Sequence, residues 1–527
     1  MSTPIAERFS VARHAPVATT FPEPMAGSAD RLRPRLVAQS RGLTAVLGAA
    51  GLLGSLVFVA AYGRTHLVLG ARPPASWLGL LSAPADAGWR GICSVLAWVG
   101  MLTLVGCWLG LARLAVDDRL GARTAGYVAG GWAVPFIVGP PLTSLDIYSF
   151  AAQGHQLLSG MSPYTAPPDQ LPAGAFLAAV DPRWRHVLSP YGPIGVRLEW
   201  LAALVGRGDA TATVVWLKVL AVACTLVAIA LAVRLSHPQR RPLTLVLLGA
   251  NPLLLTTAFS AGHLEAPMLA LLLAAVLAQR NSHPSVAVAC AVAAGLVKAP
   301  ALLAAVFLLV EHARAAPGAL HRARTLARDG GVLAAVTIAG TLAVPQGWGW
   351  TNTVLHTPAT GRALWTPSTV LAELATPFLS LFSGGSVSFD RVLTVTRLVG
   401  LLTVAALTAV QLGRRTPWEL RLGRSLLAVA VLGFVFYPWY LLWGVPLLII
   451  SGGRRTAYLL ACGGAAFTAA YLWPEPHETM AAARMLLHAL QQHPATISSL
   501  PALLPGAVGA LVLVCHSFRR RPTAHAD

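Results

Sequence analysis

Charge is the scarcest property of this chain. Only 11% of its 527 residues are Asp, Glu, Lys or Arg, where a soluble domain carries about a quarter. Its only lysines, Lys218 and Lys298, both fall inside apolar runs. An Asp-x-Asp pair, a common metal-holding arrangement, is missing, so no obligatory metal or other cofactor is expected. The six cysteines (Cys93, Cys107, Cys224, Cys290, Cys462 and Cys515) all lie within apolar runs. They read as small packed side chains rather than a disulfide framework or metal site. No internal repeat is visible. Residues 1–42 lack apolar periodicity and are expected to form a disordered cytosolic tail.

What the chain has instead is hydrophobic length. It is 55% hydrophobic, and apolar runs of roughly 15 to 25 residues recur from Leu43 to Cys515, enough to cross a bilayer core as helix. Backbone in lipid is satisfied only by helices or closed barrels, and runs this long mean helices. The fold class is therefore an all-α polytopic membrane protein, with its membrane domain over 43–517 and a second short cytosolic tail at 518–527. The first run, "LTAVLGAAGLLGSLVFVAAYG", is too long for a signal-peptide core and reads as a retained helix. Its "GAAGLLG" suits close helix packing rather than a nucleotide loop. The formal charge of +19 does not indicate nucleic acid, because the arginines sit in short clusters between apolar runs, as cytoplasmic loops do.

Charge bias also orders the loops. With the clusters around Arg31–Arg41, Arg119, Arg240, Arg280, Arg328, Arg414–Arg424, Arg454 and Arg519 placed inside, roughly 25 Lys/Arg face the cytosol and roughly 9 the exterior. Runs at about 43–63, 91–115, 124–140, 211–234, 242–258, 265–279, 285–298, 299–311, 330–345, 390–411, 425–439, 441–451, 455–472 and 500–517 then alternate, giving about 14 crossings with both termini cytoplasmic. The segment 192–206 must not cross. Its Arg197 and Glu199 suit an interfacial helix. Long exterior segments follow at about 141–210, 346–389 and 473–499, with a short exterior turn, "SAGHLEAP".

The first exterior segment holds "SLDIYSFAAQGHQLLSGMSPY". Read as a helix ended by Gly160 and Pro163, it sets Asp146, Ser149, Gln153 and Gln156 on one face, which suits a helix along the membrane surface with its polar side toward a cavity. Asp146 fits two roles equally at this point: a helix N-cap or a reagent. Other ionisable and aromatic groups gather at the same level. They are His263 and Glu265, Lys298 in "GLVKAP", Tyr191 in "SPYGP", and Trp439 and Tyr440 in "FYPWYLLWG", with Trp350, Arg362 and Trp365 in the second long loop. Ionisable groups in apolar context cost at least about 2.5 kcal/mol at a helix centre, which makes them functional candidates. Each has a structural alternative: the aromatics as an interfacial belt, Lys218 and Lys298 as headgroup-reaching side chains, His263 with Glu265 as a polar turn.

As an ordered set, "LDIYSFAAQG", "SPYGP", "NPLLL…GH.E", "GL.KAP" and "PWYLLWG.PLL" resemble the polyprenyl-phosphomannose-dependent mannosyltransferases of actinobacterial lipomannan and lipoarabinomannan assembly, nearest the α-1,6-mannosyltransferases. The resemblance runs over about 43–517. It implies a GT-C glycosyltransferase in the bacterial plasma membrane with an extracytoplasmic active site. Such an enzyme moves mannose from a polyprenyl-phosphate-mannose donor to a mannan or lipoglycan acceptor, with inversion. It also implies that Asp146 is the base and that Tyr148, Gln153, Tyr164, Tyr191, His263, Glu265, Lys298, Arg362, Trp439 and Tyr440 contact substrate. One departure stands out: where the family pattern has Asn-Asp after the histidine, this chain has Leu264-Glu265.

Chemistry agrees with that implication. An inverting transfer needs one base for the attacking hydroxyl, and a lipid phosphate leaves without a general acid. A glycosidase would need two flanking carboxyls. A cation beside the leaving phosphate stabilises developing charge, with Lys298, Arg362 and His263 as candidates. The competing classes are a transporter or lipid-linked sugar flippase, whose polar groups belong at mid-membrane between repeats, and the same fold acting on protein or another lipid.

Overall fold

The computed structural model describes residues 37–38, 40–65, 76–78, 80–82, 87–360, 366–383 and 387–471. Most of the expected tails, the segment 473–499, the run 500–517, Cys515, Arg362 and Trp365 lie outside the described residues. The fold is helical. In chain order the main helices are α1 (Arg41–Thr65), α2 (Ala87–Val116), α3 (Ala122–Val138), α4 (Asp146–Leu158), α5 (Pro193–Val205), α6 (Ala210–Leu235), α7 (Glu265–Arg280) and α8 (Pro284–Val297). They continue with α9 (Leu303–Ala315), α10 (Gly318–Leu342), α11 (Gly349–Thr360), α12 (Pro367–Ser383), α13 (Phe389–Gly413), α14 (Trp418–Leu432) and α15 (Arg454–Tyr471). The one extended feature among the described residues is a two-residue antiparallel pair, Ser76–Trp77 with Leu81–Ser82.

Four described helices are long and apolar enough to cross a membrane: Arg41–Thr65, Gly88–Val116, Ala210–Leu235 and Phe389–Gly413. The pair Pro238–Gly249 and Pro252–Ser260, bent by 45°, adds a broken fifth. Several other apolar runs form helices of 13 to 17 residues, such as α3, α7, α8 and α9. At a rise of 1.5 Å per residue these span about 20–26 Å, less than a bilayer core of about 30 Å. Prolines account for part of the shortening. Pro252 opens a new helical start, Pro300 sits in the 3-10 turn Ala299–Leu302 between α8 and α9, and Pro438 opens the 3-10 helix Pro438–Trp443.

Outward faces are apolar on the long helices: Val46 and Leu53 on α1, and Leu398 and Leu402 on α13, are exposed. Between helices in lipid there is no hydrophobic gain, so close van der Waals approach decides packing. The small residues of "GAAGLLG" supply it. A Cβ on Gly54 would stand 2.8 Å from the Gly100 carbonyl oxygen, and one on Gly100 would stand 2.8 Å from that of Gly54. A fully buried core lies where α7 packs on α6 and α8, with Leu272, Leu273, Val276, Val288 and Val292 essentially inaccessible.

The sequence expectations for the first exterior segment need two corrections. Helix α4 does not lie on a surface: Ile147 through Gly154 are all buried, held by α5 and α6. An amphipathic stripe on a short helix gives the polar side but not how much protein covers the other sides. Helix α5, the segment expected not to cross, is indeed short, and Arg197 is partly exposed, donating from Nε to the Ala343 carbonyl at 2.6 Å. Glu199, however, is fully buried rather than interfacial.

Candidate active site

The site begins where α3 ends. The Lys218 ammonium on α6 donates to the carbonyls of Phe136 (3.1 Å) and Gly139 (2.5 Å). Trp77 Nε1 donates to Val138 at 3.0 Å. These bonds satisfy carbonyls that a helix end leaves without partners and place a cation at the negative end of the dipole. Lys218 is thus a buried cap for α3, which corrects its expected reach to a headgroup; a through-space partner 79 residues away has no local signal.

Six residues after Gly139 the chain turns into α4. Leu145 takes the cap position and Asp146 is the first helical residue, its amide bonded to Ser144 Oγ at 3.1 Å. Asp146 is therefore not the N-cap. Its carboxylate lies at the wall of a cavity of about 330 Å³, 18% exposed and 3.6 Å from His263 Nε2.

His263 reaches Asp146 through unusual backbone. The π-helical stretch Leu255–Ser260 precedes it, the kind of bulge that re-aims side chains at sites. Gly262 follows with φ +65°, and a Cβ there would meet Ile147 Cδ1 at 2.6 Å. Only glycine allows both the left-handed turn and this contact with α4. The His263 ring is 1% exposed, stacks on Trp439 at 4.3 Å, and bonds through Nδ1 to the Thr257 carbonyl at 2.9 Å. Trp439 in turn stacks on Tyr437 at 4.7 Å.

Two residues on, Glu265 opens α7. It is buried, pairs with the Lys298 ammonium, and accepts from Trp443 Nε1 at 3.2 Å. Lys298 closes α8 and faces three rings, Tyr440 at 4.6 Å, Trp443 at 5.4 Å and Tyr191 at 5.5 Å. Such an aromatic cage adds cation–π attraction to the ion pair. The "SPYGP" turn carrying Tyr191 is fixed to its surroundings on several sides. Ser189 Oγ donates to Gln153 Oε1 at 2.8 Å, the Tyr164 hydroxyl donates to the Tyr191 carbonyl at 3.0 Å, and the Gly192 amide donates to Val297 at 3.1 Å. Tyr191 also meets Phe150 edge-on at 5.0 Å. Burial, then the nearby Asp146 and Glu265 carboxylates, raise the Tyr191 phenol well above its usual range, so it stays a proton donor.

Of the expected site residues, Asp146, Gln153, Tyr191, Lys298 and Tyr440 line the cavity. His263 and Trp439 stand directly behind Asp146, and Glu265 and Tyr164 stand behind the wall as supports for Lys298 and Tyr191. Tyr148 is 2% exposed within the main core and is not among the residues lining the cavity. Gln156, expected on the cavity side, instead donates to Ala166 at 2.9 Å and Pro167 at 3.0 Å, holding the next loop. Trp350 is buried in the core, and Arg362 lies outside the described residues.

Sequence reading missed Phe150, Trp443, Tyr437 and Arg183. Trp443 was signalled by its spacing of three from Tyr440. Arg183 bridges to Asp181 at 2.6 Å with its guanidinium largely exposed, and this bond holds the Asp181 carboxyl below its ordinary range. It lies close enough to Asp146 and Tyr437 to interact electrostatically. Glu199, also missed as a site neighbour, has neither carboxylate oxygen bonded, and burial pushes its carboxyl well above the usual range. An unpaired carboxylate is too costly to bury, so Glu199 is a neutral acid. Among the described residues, no group of three or more His, Cys, Asp or Glu could hold a metal ion.

The same cavity is also lined by the apolar side chains of Val354, Leu401, Val404 and Val429. Leu401 and Val404 belong to α13, one of the helices long enough to span. A helical protein with apolar outer faces and a single carboxylate at the rim of a polar-to-apolar cleft has the build of a membrane enzyme acting on an amphiphile.

Comparison with known proteins narrows this class. The family model described as alpha-(1->6)-mannopyranosyltransferase, N-terminal domain, matches residues 46–314, and a companion model, MptB C-terminal domain, matches 368–500. The chain belongs to this alpha-(1->6)-mannopyranosyltransferase family. It is 27% identical over 384 residues to alpha-(1->6)-mannopyranosyltransferase A of Corynebacterium glutamicum, covering 67% of this chain and 77% of that one. An alpha-(1->6)-mannopyranosyltransferase of Mycobacterium tuberculosis is 28% identical over 494 residues, covering 79% and 80%. A probable alpha-(1->6)-mannopyranosyltransferase of Mycolicibacterium smegmatis is 27% identical over 450 residues, covering 76% and 78%. No solved structure matches.

Proposed function

We propose that this chain is a membrane mannosyltransferase of GT-C type. It takes mannose from polyprenyl-phosphate-mannose and joins it, with inversion, to a mannan or lipoglycan hydroxyl on the extracytoplasmic face of the bacterial plasma membrane. About 14 crossings with both termini cytoplasmic fit the charge bias of its loops. Family membership supports mannosyl transfer as the reaction class. One observation carries the choice of donor: a single cavity is lined both by the polar Asp146 and Lys298 and by the apolar Val354, Leu401, Val404 and Val429. A sugar phosphate on a hydrocarbon tail has this polarity.

In this reading the acceptor hydroxyl attacks the anomeric carbon from the side opposite the phosphate, and Asp146 takes its proton. The phosphate leaves toward Lys298. Because Glu265 balances the lysine charge, the ammonium acts as an oriented donor inside its aromatic cage rather than as an isolated cation. Arg183, close enough to interact electrostatically with Asp146, adds positive field. No metal is needed, since the phosphate is already a good leaving group.

The test is transfer itself. Membranes from cells producing the chain are given labelled polyprenyl-phosphate-mannose and short mannosides, and the product linkage is determined. The expected product is an acceptor longer by one α-1,6-linked mannose. Movement of the donor across the bilayer with no new glycosidic bond would overturn the proposal in favour of a flippase.

A further inference from the structure

Among the described residues, three histidines face a carboxylate, and one pair differs from the other two. His186 Nδ1 lies 2.6 Å from Asp169 Oδ2, and His312 Nδ1 lies 2.7 Å from Asp329 Oδ2. Those are the separations of a proton held between ring and carboxylate. His263 Nε2 and Asp146 Oδ2 stand 3.6 Å apart, beyond hydrogen-bond reach.

Tautomer explains the gap. The Thr257 carbonyl can only accept, and His263 Nδ1 lies 2.9 Å from it, so Nδ1 carries the hydrogen. In the neutral ring Nε2 then carries a lone pair. That nitrogen is buried and has no hydrogen-bond partner. In that form two lone pairs face each other across 3.6 Å. A buried acceptor left this way is destabilising, and such a group in a native fold calls for a reason.

We propose that Asp146 and His263 form an open dyad, which closes when Asp146 takes the proton of the attacking hydroxyl and then holds that proton between Oδ2 and Nε2. This rests on the reading of Asp146 as the base. The hydroxyl O–H breaks as its oxygen bonds the anomeric carbon. The bond from that carbon to the phosphate oxygen breaks, and its electron pair leaves with the phosphate. The proton goes to the dyad, whose charge changes from −1 to zero, and returns to water through the open cavity once product departs. Closing needs a movement of about 1 Å, from 3.6 Å to ordinary hydrogen-bond length. The ring cannot swing away, because the Trp439–Tyr437 stack and the Thr257 carbonyl fix its plane. His263 acts through Asp146 and is a positioning residue.

Other titratable groups face the dyad. Arg183, Tyr191 and Tyr440 interact electrostatically with Asp146, and Tyr437 with Arg183 and Tyr440. Lys298 lies on the same cavity wall, with Glu265 behind it. All are unchanged in the variants below, so differences between pH profiles report on the dyad.

The test uses the purified full chain. His263→Asn keeps an amide N–H for the Thr257 carbonyl and removes Nε2. His263→Gln places an amide beside Asp146 that cannot hold a proton, and carries the test if the first variant fails to elute as folded protein in size-exclusion chromatography. The expected loss in kcat is about 10², with the donor KM changed by less than about threefold. The acid limb of the pH–rate profile moves to lower pH, because Asp146 alone holds the proton less tightly than the pair. His263→Ala regains activity with added imidazoles, more with the more basic ones. Wild-type kcat and an unmoved acid limb in the folded Asn or Gln variant would overturn the dyad, as would rescue that ignores basicity. If wild type transfers mannose and Asp146→Asn does not, such a result removes the dyad alone. If wild type forms no product, the functional reading itself fails.

Discussion

Helix α7 has charged groups at both ends, about 24 Å apart at 1.5 Å per residue, and the two ends are built differently. At its C-terminal end, Arg280 meets Glu419 at 2.8 Å and the Leu235 carbonyl at 2.7 Å. Nearby elements repeat the pattern. Arg421, fully buried, meets Glu311 at 2.5 Å, and Asp329 is held by Arg328 and His312, both at 2.7 Å. His312 Nε2 reaches Gln279 at 2.8 Å. Every charge there has a close partner. At the N-terminal end the pairing is unfinished: His263 Nε2, Glu265 Oε2 and Ser149 Oγ have none, and Asp146 lies at an open cavity. Paired ends are architecture; unpaired buried polar atoms beside a cavity mark where a ligand completes the bonding.

Variants separate the two ends. The largest expected effect is at the site: Asp146→Asn lowers transfer by about 10³-fold or more while the melting temperature stays within about 2 °C of wild type. Loss of folding together with activity would make Asp146 architectural too. At the other end, Glu311→Ala leaves the buried Arg421 guanidinium short of its partner. Breaking a buried pair costs about 3–5 kcal/mol, and about 2 kcal/mol is expected here because Glu311 is 29% exposed. Thermal unfolding in detergent measures this, and kcat of the folded fraction stays at the wild-type level.

A smaller effect belongs to the caged pair. Lys298→Met with Glu265→Gln removes both charges at once, so no buried ion is stranded. Donor kcat/KM is expected to fall about tenfold, roughly 1.4 kcal/mol, with acceptor KM little changed. An equal loss on donor and acceptor would remove the phosphate-side role of Lys298. The smallest effect is at Glu199. Its carboxyl is raised by burial, so the folded state binds a proton that the unfolded state releases above about pH 4.3. Stability from this group therefore falls as pH rises through that range. Glu199→Gln mimics the neutral acid: within about 0.5 kcal/mol of wild type near pH 5, and relatively more stable as pH rises. Kinetics unchanged but stability sharply lower at every pH would show that the acid has a partner.

The same contrast shows what a single chain of letters discloses. Apolar run length and charge bias indicated a helical membrane protein and which loops carry the polar groups. Helix α4 was legible with its terminator, since Gly160 at φ +81° follows its end. Asp146 stood out because carboxylates are rare here. What was not legible is whatever depends on distant segments meeting. Asp146 and His263 are 117 positions apart, and Lys218 serves carbonyls some 80 residues upstream. Burial of Glu199 and Tyr148 depends on how helices pack around them, which periodicity does not state. Trp439 reads locally as an interfacial belt residue and is instead the floor under His263.

We propose that the unfinished end of α7 is where a mannosyl group changes partners under an aspartate base. The most direct test is single-turnover transfer by purified wild type and Asp146→Asn, each loaded with labelled polyprenyl-phosphate-mannose and mixed with a mannoside acceptor. The expected result is one mannose transferred with inverted anomeric configuration by wild type, and none by the folded variant on the same timescale. Transfer by Asp146→Asn at the wild-type rate would contradict it.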